Sequence, residues 1–318
     1  MLRSSNLLFT VLAAAAALGT ASAQTTGPPT PGISIPAWVE EGHCDAAPKF
    51  EATFNGKAVP ITARLGPESD EIILLVLDFT GDMSLVDAAK QALIAQISKL
   101  PPNVWVGLLS DQDGLHVLAD PGPNRQPLAD AIQALASIGK PGLFETVTSA
   151  LTLADNLLRK SPVRVAVLYV TDGSIYSYRE DYTNPVINES DPHDLSRVFP
   201  DALIQDRISK LVEDANSLEA PLFVVHLKYR SDTLNRSYQN GLLTLADATG
   251  GKGQVCRSVG EIPDAITAAF TRMLSAWRLT LGVPPKFHSN AQIRLTAPCG
   301  GEDARLSWRL RLRPKEGL

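Results

Sequence analysis

From residue 71 onward the chain alternates two kinds of apolar pattern. Short continuous runs, Ile72 to Leu77, Val104 to Leu109, Val163 to Val170 and Pro221 to Leu227, lack polar alternation and read as strands buried on both faces. Between them, apolar residues recur every three or four positions. Val86, Ala89, Leu93, Ile97 and Leu100 mark a helix that begins near Asp82 and is stopped by Pro101-Pro102. Leu128, Ile132 and Leu135 mark a second helix beginning near Pro127, a residue suited to a first turn. Val147, Ala150, Leu151, Ala154, Leu157 and Leu158 line a third over 143–159, and Ile204, Ile208, Leu211 and Ala215 a fourth over 201–218. Further helices are predicted over 241–249, closed by Gly250-Gly251, and over 262–276, with a short strand at 254–257 and a hairpin partner for 104–109 at 115–118.

Strands alternating with helices of this length predict βαβ crossovers, hence an α/β fold with a doubly wound, mainly parallel sheet covered on both faces. The two ends differ. Phe50 to Phe54 and Ala58 to Thr62 flank Asn55-Gly56, a strong hairpin signal. After Trp277 the helical periodicity stops, and 277–283, 291–296 and 304–312 read as strands. In the last of these Arg305, Ser307, Arg309 and Arg311 alternate with Leu306, Trp308, Leu310 and Leu312, which predicts a half-buried strand with a basic face. The predicted organisation is a signal peptide over 1–23, a flexible leader over 24–36, an N-terminal β segment over 37–70, the α/β domain over 71–276, and a C-terminal β segment over 277–318. The two β segments are expected to join in one small accessory domain.

The signal peptide is read from Arg3, the apolar core Leu7 to Leu18, and Ala21-Ser22-Ala23 before Gln24. That core is shorter than the roughly 20 residues a membrane span needs, and no later segment is apolar enough, so a secreted or periplasmic protein cleaved after Ala23 is expected. The chain has 318 residues and a net charge of −5, with nothing of a nucleic-acid binder's basic face. Its three cysteines, Cys44, Cys256 and Cys299, allow one disulfide in an oxidising compartment. Spacing leaves the pairing open. Cys44 with Cys299 is expected because both fall in the accessory β-domain.

Candidate chemistry sits at the strand ends. Asp78-Phe79-Thr80-Gly81-Asp82 follows the first buried strand and Thr171-Asp172-Gly173 another. Open α/β sheets bind ligands outside the C-terminal ends of their strands, and carboxylates with hydroxyls are hard-oxygen donors for a divalent cation. Asp82 also stands where a helix N-cap would. The five histidines form no close pair, and no hydrolase elbow, phosphate loop or His-Glu-x-x-His is present.

The combined order of Leu75-Val76-Leu77-Asp78, Gly142-Leu143-Phe144-Glu145, Leu168 to Gly173 and Leu245 to Gly251 resembles a von Willebrand factor type A domain, and more closely the exported proteins of this class common in Acidobacteria. The likeness covers roughly 50–312. It implies a metal-ion-dependent adhesion site, with Asp78 as the first Asp, Thr80 for the first Ser, Asp82 in place of the second Ser, and Asp172 in the third loop. Pro141 stands where the family has a Thr. The implied ion is Mg²⁺, with Mn²⁺ or Ca²⁺ as alternatives. Glu145 and Thr146, with Tyr176, Tyr178 and Tyr182 of the long polar stretch after Asp172, are the expected partner-binding rim. The function expected is that of a non-enzymatic adhesion or assembly module binding another protein. A structural component with a vestigial ion site, and less so a metal-dependent hydrolase, remain the alternatives.

Overall fold

The computed structural model describes residues 32–41, 48–139, 141–175, 200–283, 287, 290–299 and 302–314. In chain order the strands are β1 (Ile33–Glu41), β2 (Glu51–Phe54), β3 (Lys57–Val59), β4 (Ile61–Leu65), β5 (Glu71–Asp78), β6 (Val104–Asp111), β7 (Leu115–Gly122), β8 (Arg164–Thr171), β9 (Leu222–His226) and β10 (Lys252–Val255). They continue with β11 (Trp277–Leu281), β12 (Ala291–Thr296), β13 (Pro298–Cys299), β14 (Glu302–Asp303), β15 (Arg305–Trp308) and β16 (Arg311–Leu312). The helices are α1 (Met83–Ile97), α2 (Arg125–Ala134), α3 (Leu143–Lys160), α4 (Pro200–Ala215), α5 (Thr233–Ala248) and α6 (Ile262–Leu274).

Six strands form one sheet in the order β10-β9-β8-β5-β6-β7. All neighbours are parallel except β6 and β7. The apolar runs form this sheet because every residue of β8 is buried and only Ile72 of β5 is even partly exposed. Alternate side chains go to two separate cores. Ile73, Leu75, Leu77, Ala166, Leu168 and Val170 pack with α1 and α6 residues such as Val86, Leu93, Ile266 and Phe270. Leu74, Val76, Val167 and Tyr169 pack on the other side with Phe144, Val147, Ile204, Tyr238 and Leu242. This is the doubly wound α/β sheet that the patterning predicts. Burying one such aliphatic side chain stabilises by roughly 1.5–3 kcal/mol, so both faces must be covered for the central strands to persist.

The ends of the chain build two further four-stranded sheets, β15-β1-β11-β4 and β16-β12-β2-β3, and the two-stranded β13-β14. Ile35, Ala37, Leu279 and Leu281 of the first face Ala52, Phe54, Ile293, Leu295 and Leu312 of the second across a third core. The Asn55-Gly56 hairpin is present as predicted. Both residues have positive φ, 49° and 76°, the pairing that a two-residue turn needs to match strand twist.

Three expectations are corrected. The leader does not run to 36, because β1 begins at Ile33 and pairs on both sides, with β11 and β15. Trp38 of this strand points the other way, into the α/β core, where its indole donates to the Arg272 carbonyl at 2.7 Å and meets Phe223 edge-on. α5 starts at Thr233 rather than 241, capped by Asp232. The basic alternation of 304–312 breaks after Trp308, where the chain passes from one sheet to the other. Arg309 is buried and Leu310 is 60% exposed. Cys256 is a free, buried thiol. Cys44 and the side chain of Cys299 lie outside the described residues, as do residues 1–31 with the signal peptide, and Tyr176, Tyr178 and Tyr182. Among the described residues no helix is long and apolar enough to cross a membrane.

Candidate functional site

The chain runs from β5 to one side of the sheet through β6 and reaches β8 on the other, so a crevice opens between the C-terminal ends of β5 and β8. Asp78 and Asp172 meet there. Asp172 is buried, and its two oxygens accept the backbone N–H groups of Thr80, at 2.8 Å, and Asp82, at 2.9 Å. It therefore fixes the loop after β5, and Gly81 is small because a Cβ there would come within 2.9 Å of its carboxylate. Asp82 caps α1 by accepting from the amide and hydroxyl of Ser84. Those bonds, led by the hydroxyl, hold its carboxyl below the ordinary value, and the Lys228 ammonium, 3.4 Å away, acts in the same sense.

Asp78 is fully buried. Its Oδ2 accepts from the Tyr169 phenol and the Thr171 hydroxyl, each at 2.7 Å, while Oδ1 has no hydrogen-bond partner among the described residues. Thr171 in turn accepts from the Gly173 N–H at 2.8 Å. Loss of water pushes the Asp78 carboxyl upward, against the pull of those two hydroxyls. A second buried acid stands beside it. Asp111, at the end of β6, accepts from Thr146 and lies 3.5 Å from the Tyr169 oxygen. Burial raises its carboxyl, and the charge of Asp78 raises it further. Tyr169 has one proton and gives it to Asp78. It can accept one from a protonated Asp111, so a neutral acid is the form this geometry suits. A Cβ on Gly142 would lie 1.9 Å from Asp111 Oδ1, so only glycine lets the start of α3 close over the pair. The following Leu143 is held at φ 50°, a left-handed conformation uncommon for such a residue.

The four residues expected to hold an ion lie at the ends of β5 and β8 and in the loop that follows β5, but the carboxylates of Asp82 and Asp172 are engaged within the protein. Mg²⁺ prefers about six oxygen ligands. Asp172 is occupied by amides and Asp82 by Ser84 and Lys228. Pro141 offers no hydroxyl, and Asp78 Oδ1 is buried without a hydrogen-bond partner among the described residues. Among the described residues no three His, Cys, Asp or Glu side chains converge as a metal site. The residues present do not fit a resident divalent ion.

One rim residue also differs from expectation. Thr146 is buried against Asp111 because it falls on the inward face of α3 with Val147 and Ala150. Glu145 is exposed and pairs with Arg207 of α4. Asp111 and Tyr169 were not anticipated. Their signals are a third strand ending in aspartate, Leu108-Leu109-Ser110-Asp111, and one phenol inside an otherwise aliphatic run. His226, at the end of β9, is buried with Nε2 3.1 Å from the Gly173 carbonyl, and burial lowers it to about 4.

The strand order is that of a doubly wound α/β fold. No family model matches the sequence, and no curated protein does. Among solved structures the chain is similar to a von Willebrand factor type A protein from Catenulispora acidiphila, at 15% identity over 87% of this chain and 76% of that one, with a TM-score of 0.43. It is also similar to the PilB minor pilin from Streptococcus sanguinis, at 10% identity over 69% and 64%, TM-score 0.46. A third is the von Willebrand factor domain of the type V pili tip protein Mfa5 from Porphyromonas gingivalis, at 12% over 64% and 95%, TM-score 0.38. The strand order itself, rather than these likenesses, carries the fold.

Proposed function

We propose that this protein is an exported, non-enzymatic adhesion or assembly module that binds another protein through the loops at the C-terminal ends of its central strands, without a resident ion. One observation carries the reading. Met83, Ile138, Tyr229 and Val259 expose 54%, 70%, 45% and 43% of their surface, and all four lie in or beside loops at that end of the sheet. Exposed apolar side chains at one end of a scaffold suit a protein interface, although Trp105, Val117, Leu118 and Leu310 are exposed on other parts of the molecule. Export is supported by the N-terminal apolar stretch and its small-residue cleavage pattern. Catalysis is disfavoured on access, since Asp78, Asp111 and His226 are fully buried and an acid or base must reach the proton it moves.

The test is capture from the producing cell's envelope fraction on immobilised mature protein. Capture that survives chelator and is lost in the triple variant Met83→Ser, Tyr229→Ser, Val259→Ser is the expected result. A partner retained equally by that variant would sink the reading, and chelator-sensitive capture would restore the ion.

A further inference from the structure

At the base of the central sheet, where β5 and β8 begin, lies a cavity of about 20 Å³. Glu71, Arg164 and Ser34 line it, between walls that include Ala166, Phe223 and Trp277. It therefore sits where the α/β part meets β1 and β11.

Arg164 and Glu71 are only 3% and 2% exposed. A guanidinium has five N–H groups. The two on Nη1 go to the Met273, Leu274 and Ala276 carbonyls, and the two on Nη2 to those of Pro67 and Ser69. Only Nε–H is left over, and it has no hydrogen-bond partner among the described residues. Glu71 Oε2 is in the same position. It lies 3.0 Å from Arg164 Nη2, so the two charges attract, yet it accepts no hydrogen bond among the described residues. One buried donor and one buried acceptor thus belong to residues that line one cavity.

Buried polar atoms are costly to leave unmatched, and ordered water commonly matches them. A cavity needs roughly 10–15 Å³ to hold one water, and the water needs at least two polar partners. Both conditions are met here. An ion of either sign would meet a like charge, on Arg164 or on Glu71. Water alone accepts from the one and donates to the other.

We propose that this cavity is the site of one structural water, which accepts from Arg164 Nε and donates to Glu71 Oε2. The water turns a contact between charges into a directed, hydrogen-bonded pair. Ser34, whose hydroxyl accepts from Arg278 Nε at 3.1 Å, lines the same cavity and ties the site to β1 and β11. The site lies at the opposite end of the sheet from the proposed interface, and neither depends on the other.

The experiment is a crystal structure of the mature chain at a resolution that shows ordered waters. The expected result is a density peak within about 3.2 Å of both Arg164 Nε and Glu71 Oε2. A second crystal soaked in bromide should show no anomalous peak there. Ala166→Val adds two methyl groups at the cavity wall and should abolish the density peak. The proposal is overturned by a native map without that peak, by an anomalous bromide peak in its place, or by a direct hydrogen bond from Nε to Oε2. A peak that persists in Ala166→Val overturns it as well. Should that variant fail to fold, the native and bromide maps still decide.

Discussion

The two ends of the central sheet solve the problem of buried charge in opposite ways. At the top, Asp78 and Asp111 are acids, and an acid without water can take up a proton and become neutral. At the base the cations are arginines, which keep their charge. Arg164 donates to the Met273, Leu274 and Ala276 carbonyls at the end of α6, and to those of Pro67 and Ser69. Arg278 donates to Leu158, Ser161 and Val163 at the end of α3. Arg309 reaches Ala215 and Leu218 at the end of α4. Each guanidinium thus meets carbonyls left over at a helix C-terminus, where the helix dipole is negative. Burial still lowers all three, Arg309 to about 10. The lesson is that the guanidiniums of the base keep their charge at every ordinary pH, while the buried carboxyls, Asp78 and Asp111 at the top and Glu71 beside Arg164 at the base, can change theirs.

The largest expected effect breaks the base. Arg309→Met leaves carbonyls of Ala215, Leu218 and Arg311 without a donor, and should cost about 3–5 kcal/mol in denaturant unfolding. A loss below about 1 kcal/mol would show that water satisfies those groups.

The next effect comes from the top. Carboxyls raised in the fold bind more protons there than when unfolded, so their contribution is complete below about pH 4, the unfolded value. It is lost as pH rises through the folded values. Stability should therefore fall with increasing pH, by up to about 1.4 kcal/mol per pH unit for each such group. Asp111→Asn should flatten that slope. The remainder then reports Asp78 together with Glu71 at the base, which burial pushes to about 7 despite Arg164 at 3.0 Å. An unchanged slope would mean Asp111 is charged throughout.

The smallest expected effect is none. Adding Mg²⁺, Mn²⁺ or Ca²⁺ to chelator-treated protein should move the melting temperature by less than about 1 °C, whereas a ligand at a hundred times its Kd would add about 2.7 kcal/mol. A saturable upward shift, absent in Asp78→Ala, would mean the internal hydrogen bonds open to admit the ion.

Much of this architecture is legible in the sequence because it depends on local pattern. The runs ending at Asp78 and Val170 have the length and composition of buried strands, and Asn55-Gly56 specifies its own turn. β1 was hidden by Pro36, a residue that argues against a central strand. It is tolerated where β15 has run out, since the register begins only at Ala37 opposite Trp308. Arg309 was misread because alternation assumes one continuous strand, and the chain changes sheets there. At the candidate site, positions were legible and occupancy was not. The sequence shows that Asp172 stands at a strand end, but not that the amides of Thr80 and Asp82 fill it.

β1 also sets a condition on how the molecule is made. Its partners, β11 and β15, lie near the other end of the chain, with Ala37 opposite both Trp277 and Trp308. A polypeptide that emerges N-terminus first cannot pair this strand, or seat Trp38 in the α/β core, until its last segment has arrived. Contacts between such distant residues slow folding. The first strand thus acts as a late closure, and truncation at either end should leave the same unfinished intermediate.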